Sequence, residues 1–477
     1  QVLPKSLSSD VPPLVMMALS NDHNLYYKAY TDYDDYTGVT GTESQPNNRI
    51  DAVEISYNHQ FDYMGYFEPS LCYTYSATDG YFTPNSEGAG ATGHDCAGAL
   101  WSGNFLNWAT MTRIDILRKV MYGGLRSTET DDFTILERSH LPSDAHSFAK
   151  FYNDTNLGNL VDNTVVTGNE ITICNTTLHR ADESSRETNE PPLLRIASGT
   201  HNKWAAGERF QCLFKGPSTV TPEFSNGGYG LSQQWGDYPV NSPRSIVEGT
   251  NANGIPTTDD RLGDFTVRVQ TCNRTATTEL QGENCEPYVS GNQTYIRPIG
   301  QLQRHGEAVH WGLITGSYHR NKAGGVLRKN TVSIADEIAA DGTFSNTTGI
   351  VDTLDKLRIV DWEFLTNSND GNAWDYQGYM GSCFKLHPSK FSGDSALDHR
   401  KCRDWGNPFG EIMAEAYNYF AGADATAAYL LGAAPTADEN PLNLNIAEWE
   451  DDTTRVSCEA PFVLGINTGS NSYDEDV

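Results

Sequence analysis

Basic side chains are scarce in this sequence. Its 477 residues hold 33 lysines and arginines against 62 aspartates and glutamates, for a formal net charge of −29. A nucleic-acid partner requires the opposite sign of charge, and anionic lipid headgroups repel such a chain. The composition therefore argues against nucleic-acid binding. It favours an exported chain that collects cations, with Ca²⁺ first among them.

Long hydrophobic runs are absent as well. The longest apolar stretch, residues 12–20 (PPLVMMALS), is shorter than the roughly 20 apolar residues of a membrane-spanning helix. Position 1 is Gln rather than Met, which indicates a processed chain whose signal peptide has been removed. We therefore expect a secreted protein without membrane insertion.

None of the nine cysteines lies in a Cys-x-x-Cys pair, so zinc ribbons, thioredoxin-like redox sites and c-type haem attachment lack their usual pattern. Proximity favours four disulfide bonds, each stabilising the fold by about 3 kcal/mol in the chain-entropy model. Connectivity does not follow from sequence, so these pairs rest on proximity alone. Cys458 is left over, either free or paired outside this chain. The four pairs are Cys72–Cys96, Cys174–Cys212, Cys272–Cys285 and Cys383–Cys402.

Catalytic motifs are missing too. Residues 88–93 (GAGATG) fit a Gly-x-Gly-x-x-Gly pattern, but no predicted strand precedes them and no helix follows directly, as a dinucleotide site requires. His305 and His310 would lie about 140° apart on a helix, unlike the metal-binding pair of a zinc protease. No Gly-x-Ser-x-Gly motif is present. The sequence predicts that the chain is not an enzyme.

The most patterned run is residues 101–126 (WSGNFLNWATMTRIDILRKVMYGGLR). It predicts one helix that Ser102 or Asn104 caps, that Gly123 and Gly124 end, and that packs its Met111–Met121 face on a sheet. Residues 12–20 predict a central strand covered on both faces, residues 460–469 predict another strand, and residues 407–422 predict a second helix with an apolar stripe. A strand, a long loop and then a helix match the first β-α unit of a doubly wound α/β domain.

Acidic residues supply the best candidates for a cofactor site. Asp32, Asp34 and Asp35 lie in a Tyr-rich stretch near a glycine, as in a rudimentary Ca²⁺ loop. The glutamate that an EF-hand carries at its twelfth position is absent, and solvated carboxylates in a loop are the competing interpretation. Calcium is the only cofactor that the sequence suggests, with these three aspartates as its ligands.

Six stretches along the chain carry a resemblance to a known family. They are residues 101–126, PLVMMALSNDHNLYYKAY (13–30), YMGYFEPSLCYTY (63–75), LERSHLPSDAHSFAK (136–150), GLITGSYHRNKAGGVLRKN (312–330) and APFVLGINTGSNSYDED (460–476). In the same order, they resemble the PilY-type proteins, which are large exported proteins associated with type IV pilus tips. The resemblance implies an N-terminal von Willebrand factor A-like domain with large insertions, followed in the family by a β-propeller. It also implies roles in priming pilus assembly with minor pilins, in countering retraction and in adhesion.

This resemblance predicts the architecture as an α/β fold, a von Willebrand factor A-like doubly wound core with large β- and loop-rich insertions. Residues 1–150 would form the first half of the core with a Tyr/Asp-rich insertion, and residues 151–330 a β-rich insertion. Residues 331–477 would form the second half, incomplete at Val477. The remainder, including a β-propeller, would then lie on a continuation of this chain or on another chain.

A working metal-ion-dependent adhesion site in such a domain has Asp-x-Ser-x-Ser after its first strand. Here only Ser20 and Asp22 stand at that place, and Asn467 and Thr468 follow the late strand where an aspartate would help to hold the metal ion. Ser20 and Asp22 are therefore predicted to form a degenerate version of this site.

The function predicted from these features is that of a non-catalytic type IV pilus tip adhesin or assembly factor at the cell surface. It would bind minor pilins and surfaces. The alternative is a structural or interaction subunit of another extracellular filament or surface assembly, in which the same fold is reused.

Overall fold

The structure, a computed structural model of the chain, describes residues 11–30, 57–177, 191–201, 204–205, 211–214, 255–277, 280–282, 284–306, 308–318, 320–345, 347–360, 362–368, 371–378, 381–382, 403–426, 429, 442–449 and 459–474. Within these ranges the fold is mixed α/β, with several sheets and few helices, in agreement with the predicted class. None of the helices described is long and apolar enough to cross a membrane.

The strands in these ranges are β1 (Leu14–Leu19), β2 (Leu71–Ser76), β3 (Tyr81–Glu87), β4 (Trp101–Ser102), β5 (Arg126–Glu129), β6 (Thr134–Glu137), β7 (Phe148–Asn153), β8 (Glu170–Thr176), β9 (Leu193–Ser198), β10 (Arg261–Thr266), β11 (Arg268–Thr271), β12 (Cys285–Ser290), β13 (Gln293–Pro298), β14 (His310–Gly316), β15 (Gly325–Val332), β16 (Trp362–Ser368), β17 (Gly371–Gly378), β18 (Gly381–Ser382) and β19 (Pro461–Ile466). The α-helices are α1 (Gly103–Thr110), α2 (Arg113–Tyr122), α3 (Gln301–Arg304), α4 (Ile350–Lys356) and α5 (Phe409–Phe420).

The central sheet has the strand order β15-β14-β1-β19. Its middle strand β1 is parallel to both neighbours, so Leu14 pairs with His310 on one side and with Pro461 on the other. β15 runs antiparallel to β14 at the edge of the sheet. The near-continuous apolar run of β1 is what a parallel strand covered on both faces requires. The predicted strand at 460–469 is β19 at the other edge of this sheet, where the side chains of Phe462 and Leu464 are exposed.

Each face of β1 is covered by a helix. Met16 lies in one cluster with Ile412 of α5. Met17, on the opposite face, shares a cluster with Ile114 and Met121 of α2. Successive side chains of a strand point to opposite faces, so the side chains of β1 pack against helices on both faces of the sheet. The predicted packing of the 101–126 run on this sheet is therefore present through α2, and the predicted helix at 407–422 is α5.

The run 101–126 forms two helices, and the prediction of a single helix was wrong. The backbone is extended at Met111, with φ −74° and ψ 144°, between α1 and α2. The carboxylate of Asp115 accepts the backbone N–H of Thr112 at 3.1 Å and its hydroxyl at 2.6 Å, which fixes the start of a new helix. Met111 therefore joins the core around α1 rather than the face of α2.

The outer ends of this run are as predicted. The Ser102 hydroxyl accepts the backbone N–H of Phe105 at 3.4 Å and caps α1. Gly123 ends α2 in the left-handed region with φ +93°, and Gly124 follows with φ +115°. Residues other than glycine rarely adopt these backbone angles.

A second unit surrounds α1. It contains a six-stranded sheet of order β4-β2-β3-β11-β6-β5 and a four-stranded sheet of order β10-β9-β8-β7. All eight residues of α1 are buried. The Tyr152 ring packs edge to face with Phe105 and with Trp108, with centroids 5.4 and 6.3 Å apart, and the core of this unit is rich in aromatic side chains.

Three disulfide bonds are present among the described residues, and each is one of the predicted pairs: Cys72–Cys96, Cys174–Cys212 and Cys272–Cys285. The predicted pair Cys383–Cys402 and the left-over Cys458 lie outside the described residues. The division of the chain at residues 150 and 330 stays a prediction.

A polar contact joins α2 to α4. The guanidinium of Arg118 donates to the carbonyls of Leu354 at 2.7 Å and of Leu357 at 2.9 Å, at the carboxyl end of α4. The Tyr122 hydroxyl donates to the carboxyl group of Asp355. Burial raises the pKa of Asp355 to about 6, although the nearby Arg118 opposes this shift.

The raised pKa of Asp355 predicts a specific dependence of stability on pH. Between its unfolded value of 3.8 and its folded value of about 6, the folded chain holds a proton that the unfolded chain has released. The free energy of unfolding should therefore decrease as the pH rises through this window. Asp355→Asn removes this component, so we expect its free energy of unfolding to depend less on pH than that of the wild type.

Urea unfolding at about pH 4.5 and about pH 6.5 measures this difference. The matched control is Asp131→Asn, which removes an exposed carboxylate in the loop between β5 and β6. This control should keep the wild-type dependence, and an equal dependence in Asp355→Asn would contradict the prediction.

Candidate functional site

The carboxyl ends of β1 and β19 lie at one edge of the central sheet, beside the start of α5. The backbone N–H of Ser20 donates to the carbonyl of Ile466 at 3.0 Å, so the two strands stay paired up to their last residues. Ligand-binding groups of open parallel sheets collect at this edge. We call Ser20, Asp22, Asn407 and Asn467 the polar junction, since their side chains meet in the loops there.

Asn407 is the centre of the polar junction. Its side-chain carbonyl accepts the Ser20 hydroxyl at 2.8 Å, and its amide nitrogen donates to Asn467 Oδ1 at 2.9 Å and to the Ser470 carbonyl at 3.1 Å. Its backbone N–H donates to the Ser472 hydroxyl at 2.9 Å. One buried carboxamide therefore connects the loop after β1, the loop after β19 and the turn that precedes α5.

Asp22 holds the loop after β1 in place. Its Oδ1 accepts the backbone N–H of Asn24 at 3.0 Å and caps a short 3-10 helix at His23–Tyr26. Its Oδ2 accepts the backbone N–H of Gly406 at 3.3 Å, and its own N–H donates to the Ser20 hydroxyl at 3.3 Å. Asp22 is buried, and both of its oxygens accept hydrogen bonds from the protein.

These donors do not form a set suited to a divalent metal ion. Mg²⁺ and Ca²⁺ need several oxygen atoms that converge on the ion, whereas the groups of the polar junction bond to one another. In the part of the chain that the structure describes, no three His, Cys, Asp or Glu side chains could hold a metal ion together. The degenerate metal site at Ser20 and Asp22 stays a prediction. The predicted calcium ligands Asp32, Asp34 and Asp35 lie outside the described residues.

A histidine pair lies next to the polar junction. His146 Nδ1 bonds to Asp144 Oδ2 at 2.8 Å, and His146 Nε2 lies 3.2 Å from His23 Nδ1. With the proton on Nδ1 of His146, its Nε2 accepts the N–H of His23. Burial lowers the pKa of His23 to about 4, although Asp22 opposes this shift, and Trp405 stacks on the ring at 5.0 Å. His23 is therefore neutral at neutral pH.

This pair connects the two units of the molecule, because His23 follows β1 of the central sheet and His146 precedes β7 of the second unit. Sequence reasoning missed His146, Asn407 and Trp405. An Asp-x-His turn and an Asn-Pro dipeptide before a helix were the available signals, and both are common in loops. Their partners lie 123 and 387 residues away, beyond the reach of any local pattern.

Two models of known protein families match most of the chain. Residues 54–197 match the family model described as PilY1 homolog, small alpha/beta domain, and residues 311–477 match the model described as PilY1 homolog, second domain. The first match includes α1, α2 and the histidine-bearing loop before β7, and the second includes α5 and β19. No solved structure matches the chain.

Two curated relatives are each named type IV pilus biogenesis factor PilY1 homolog, from Xylella fastidiosa (strain Temecula1 / ATCC 700964). One is 29% identical over 490 aligned residues, which cover 96% of this chain and 28% of the relative. The other is 24% identical over 442 residues, covering 88% of this chain and 31% of the relative. The chain therefore spans less than a third of the length of either relative.

The polar junction predicts a measurable loss of stability when its centre is removed. Asn407→Ala leaves the buried hydroxyl of Ser20 without its acceptor, so we expect the free energy of unfolding to fall by about 1–3 kcal/mol. Urea unfolding measures the change. Asn153→Ala, at an exposed position at the end of β7, is the matched control and should change stability by less than about 0.5 kcal/mol. Equal effects of the two substitutions would contradict the role given to Asn407.

Proposed function

We propose that this chain is a non-catalytic factor of type IV pilus biogenesis that acts outside the cell, binds minor pilins at the pilus tip and takes part in adhesion. The observation that carries the proposal is the alignment of 96% of the chain with a type IV pilus biogenesis factor. The relatives' names support a pilus-related role. The minor-pilin partner, the adhesive activity and a partner β-propeller portion are our proposals.

We propose further that the central sheet belongs to a von Willebrand factor A-like core. Supporting this are the three parallel strands, the antiparallel strand β15 beside β14, and the helices α2 and α5 on opposite faces. The second unit, which lies in sequence between β1 and β14, is then a large insertion. On this assignment the polar junction occupies the place of the adhesion site.

The proposed role of the polar junction is to hold its loops without a metal ion. Asn407 links Ser20 to Asn467 directly, in the position where carboxylates and hydroxyls would otherwise share a cation. Any calcium bound by the chain would then be held elsewhere, and Asp32, Asp34 and Asp35 are the proposed ligands.

Calcium binding is tested by melting curves with excess chelator and with excess CaCl₂. An ion that binds only the folded chain raises its stability, by about 2.7 kcal/mol at a hundredfold excess over the dissociation constant. We expect Ca²⁺ to raise the melting temperature of the wild type and of Ser20→Ala. The triple variant Asp32→Asn/Asp34→Asn/Asp35→Asn should not respond. A wild-type melting temperature that chelation leaves unchanged would refute the calcium site.

The pilus function is tested by copurification of the full chain with the soluble domains of minor pilins. We expect a complex that coelutes in gel filtration, and no complex with the major pilin under the same conditions. Absence of binding to minor pilins, with self-assembly of the chain instead, would refute the proposal. That result would favour the alternative that the chain is a structural subunit of another extracellular assembly.

A further inference from the structure

The loop of residues 57–68, which we call the display loop, presents two large apolar side chains to solvent. Phe61 is 54% exposed and Met64 is 48% exposed. Four aromatic side chains of the same loop are buried in the core of the second unit: Tyr57, Tyr63, Tyr66 and Phe67. The loop is thus anchored by four buried aromatic rings and exposes two large apolar side chains.

Asn104 of α1 binds the backbone of the display loop. Its Oδ1 accepts the N–H of Tyr63 at 2.7 Å, and its Nδ2 donates to the carbonyl of Phe61 at 2.8 Å. The Asn104 side chain is fully buried. The backbone at Phe61 is therefore fixed from inside the protein.

Asn107, one turn further along α1, repeats this arrangement. Its Oδ1 accepts the N–H of Phe67 at 3.1 Å, and its Nδ2 donates to the carbonyls of Tyr63 and Phe67, both at 2.7 Å. A Cβ atom at Gly65 would lie 2.1 Å from Asn107 Oδ1, so the loop approaches α1 more closely than any other residue type at this position allows. The Tyr30 hydroxyl holds the carbonyl of Met64 at 2.7 Å.

This arrangement is suited to binding. Single exposed apolar side chains are common and need no explanation, but here two of them project from a backbone that buried amides hold. A partner that contacts Phe61 and Met64 orders only their side chains, because the loop is already ordered in the free protein. The conformational entropy lost on binding is correspondingly small. Two large apolar side chains on a backbone held in this way have the properties of an interface anchor.

The charge on the tip restricts the kind of partner. Asp62 lies between the two apolar residues, is 79% exposed and pairs with His94 at 2.9 Å. The chain as a whole carries −29. A complementary surface is an apolar pocket with basic side chains at its rim.

We propose that the display loop is the contact through which this chain binds the minor-pilin complex, with Phe61 and Met64 inserted into an apolar pocket that has a basic rim. This inference rests on the proposed function, because it takes the identity of the partner from it. The position of the contact follows from the geometry of α1 and the loop.

The test compares Phe61→Ser/Met64→Ser with Val289→Ser, whose side chain is 70% exposed on the separate hairpin β12–β13. Affinity for the purified minor-pilin complex is measured by surface plasmon resonance. We expect the double variant to lose about tenfold or more in affinity, and the Val289 variant to bind as the wild type does. Both variants should still unfold in a single cooperative urea transition, which shows that the fold is retained.

A double variant that binds the complex with wild-type affinity would overturn the inference and leave the proposed function intact. A wild-type chain that does not bind minor pilins fails the proposed function, and this inference falls with it. A double variant that keeps pilin binding but loses adhesion to a surface would assign the loop to adhesion, which also overturns the inference.

The basic rim is tested separately with Asp62→Lys. Charge at the edge of an interface acts mainly on the association rate and on its dependence on salt. We expect slower association at low salt and a weaker dependence of the association rate on salt than in the wild type. Unchanged association kinetics would exclude a basic rim, and the control Glu87→Lys, at an exposed carboxylate at the end of β3, should leave association unchanged.

Discussion

The arrangement of the molecule depends on the burial of both faces of β1. A parallel strand in the middle of a sheet has no solvent-facing side, so each face needs a helix to cover it. α5 supplies one cover through Ile412, and α2 supplies the other through Ile114. Because α2 directly follows α1 in sequence, this packing also determines where the whole second unit joins the central sheet. Arg118 then connects the same helix to α4.

Buried side-chain amides set the shape of the loops. Backbone groups in a buried loop need partners, since an unpaired one is destabilising by about 1–3 kcal/mol. Asn104 and Asn107 supply these partners to the display loop, and Asn407 supplies them to the loops at the edge of the sheet. Asparagine suits this role because one side chain both donates and accepts. In the patterned run 101–126, α1 holds the side-chain amides of Asn104 and Asn107 one helical turn apart, where both reach the display loop.

The sequence predicts those parts of the fold whose causes are local. The apolar run at 12–20 has the length and composition of a central strand, and Cys272–Cys285 closes a short loop, so both could be predicted from neighbouring residues. The break at Met111 was missed because helical periodicity continues across it, although Thr112 and Asp115 carry the signal of a new helix start. The polar junction could be predicted only in part. Ser20 and Asp22 follow a recognisable strand, whereas Asn407 comes into contact with them only through the tertiary fold.

The pairing of β1 with β19 has a consequence for the order of events when the chain is made. Leu14 is synthesised before its partner Pro461, which lies far downstream in the sequence. Such long-range pairing is slow to form, and an apolar strand without its neighbours is prone to aggregate in the meantime. Around α1, by contrast, β2 pairs with β3 and with β4, which are close to it in the sequence, so these strands can pair as soon as this segment has been synthesised. The central sheet can therefore close only after residues 461–466 have been synthesised, and until then residues 14–19 lack one of their two partner strands.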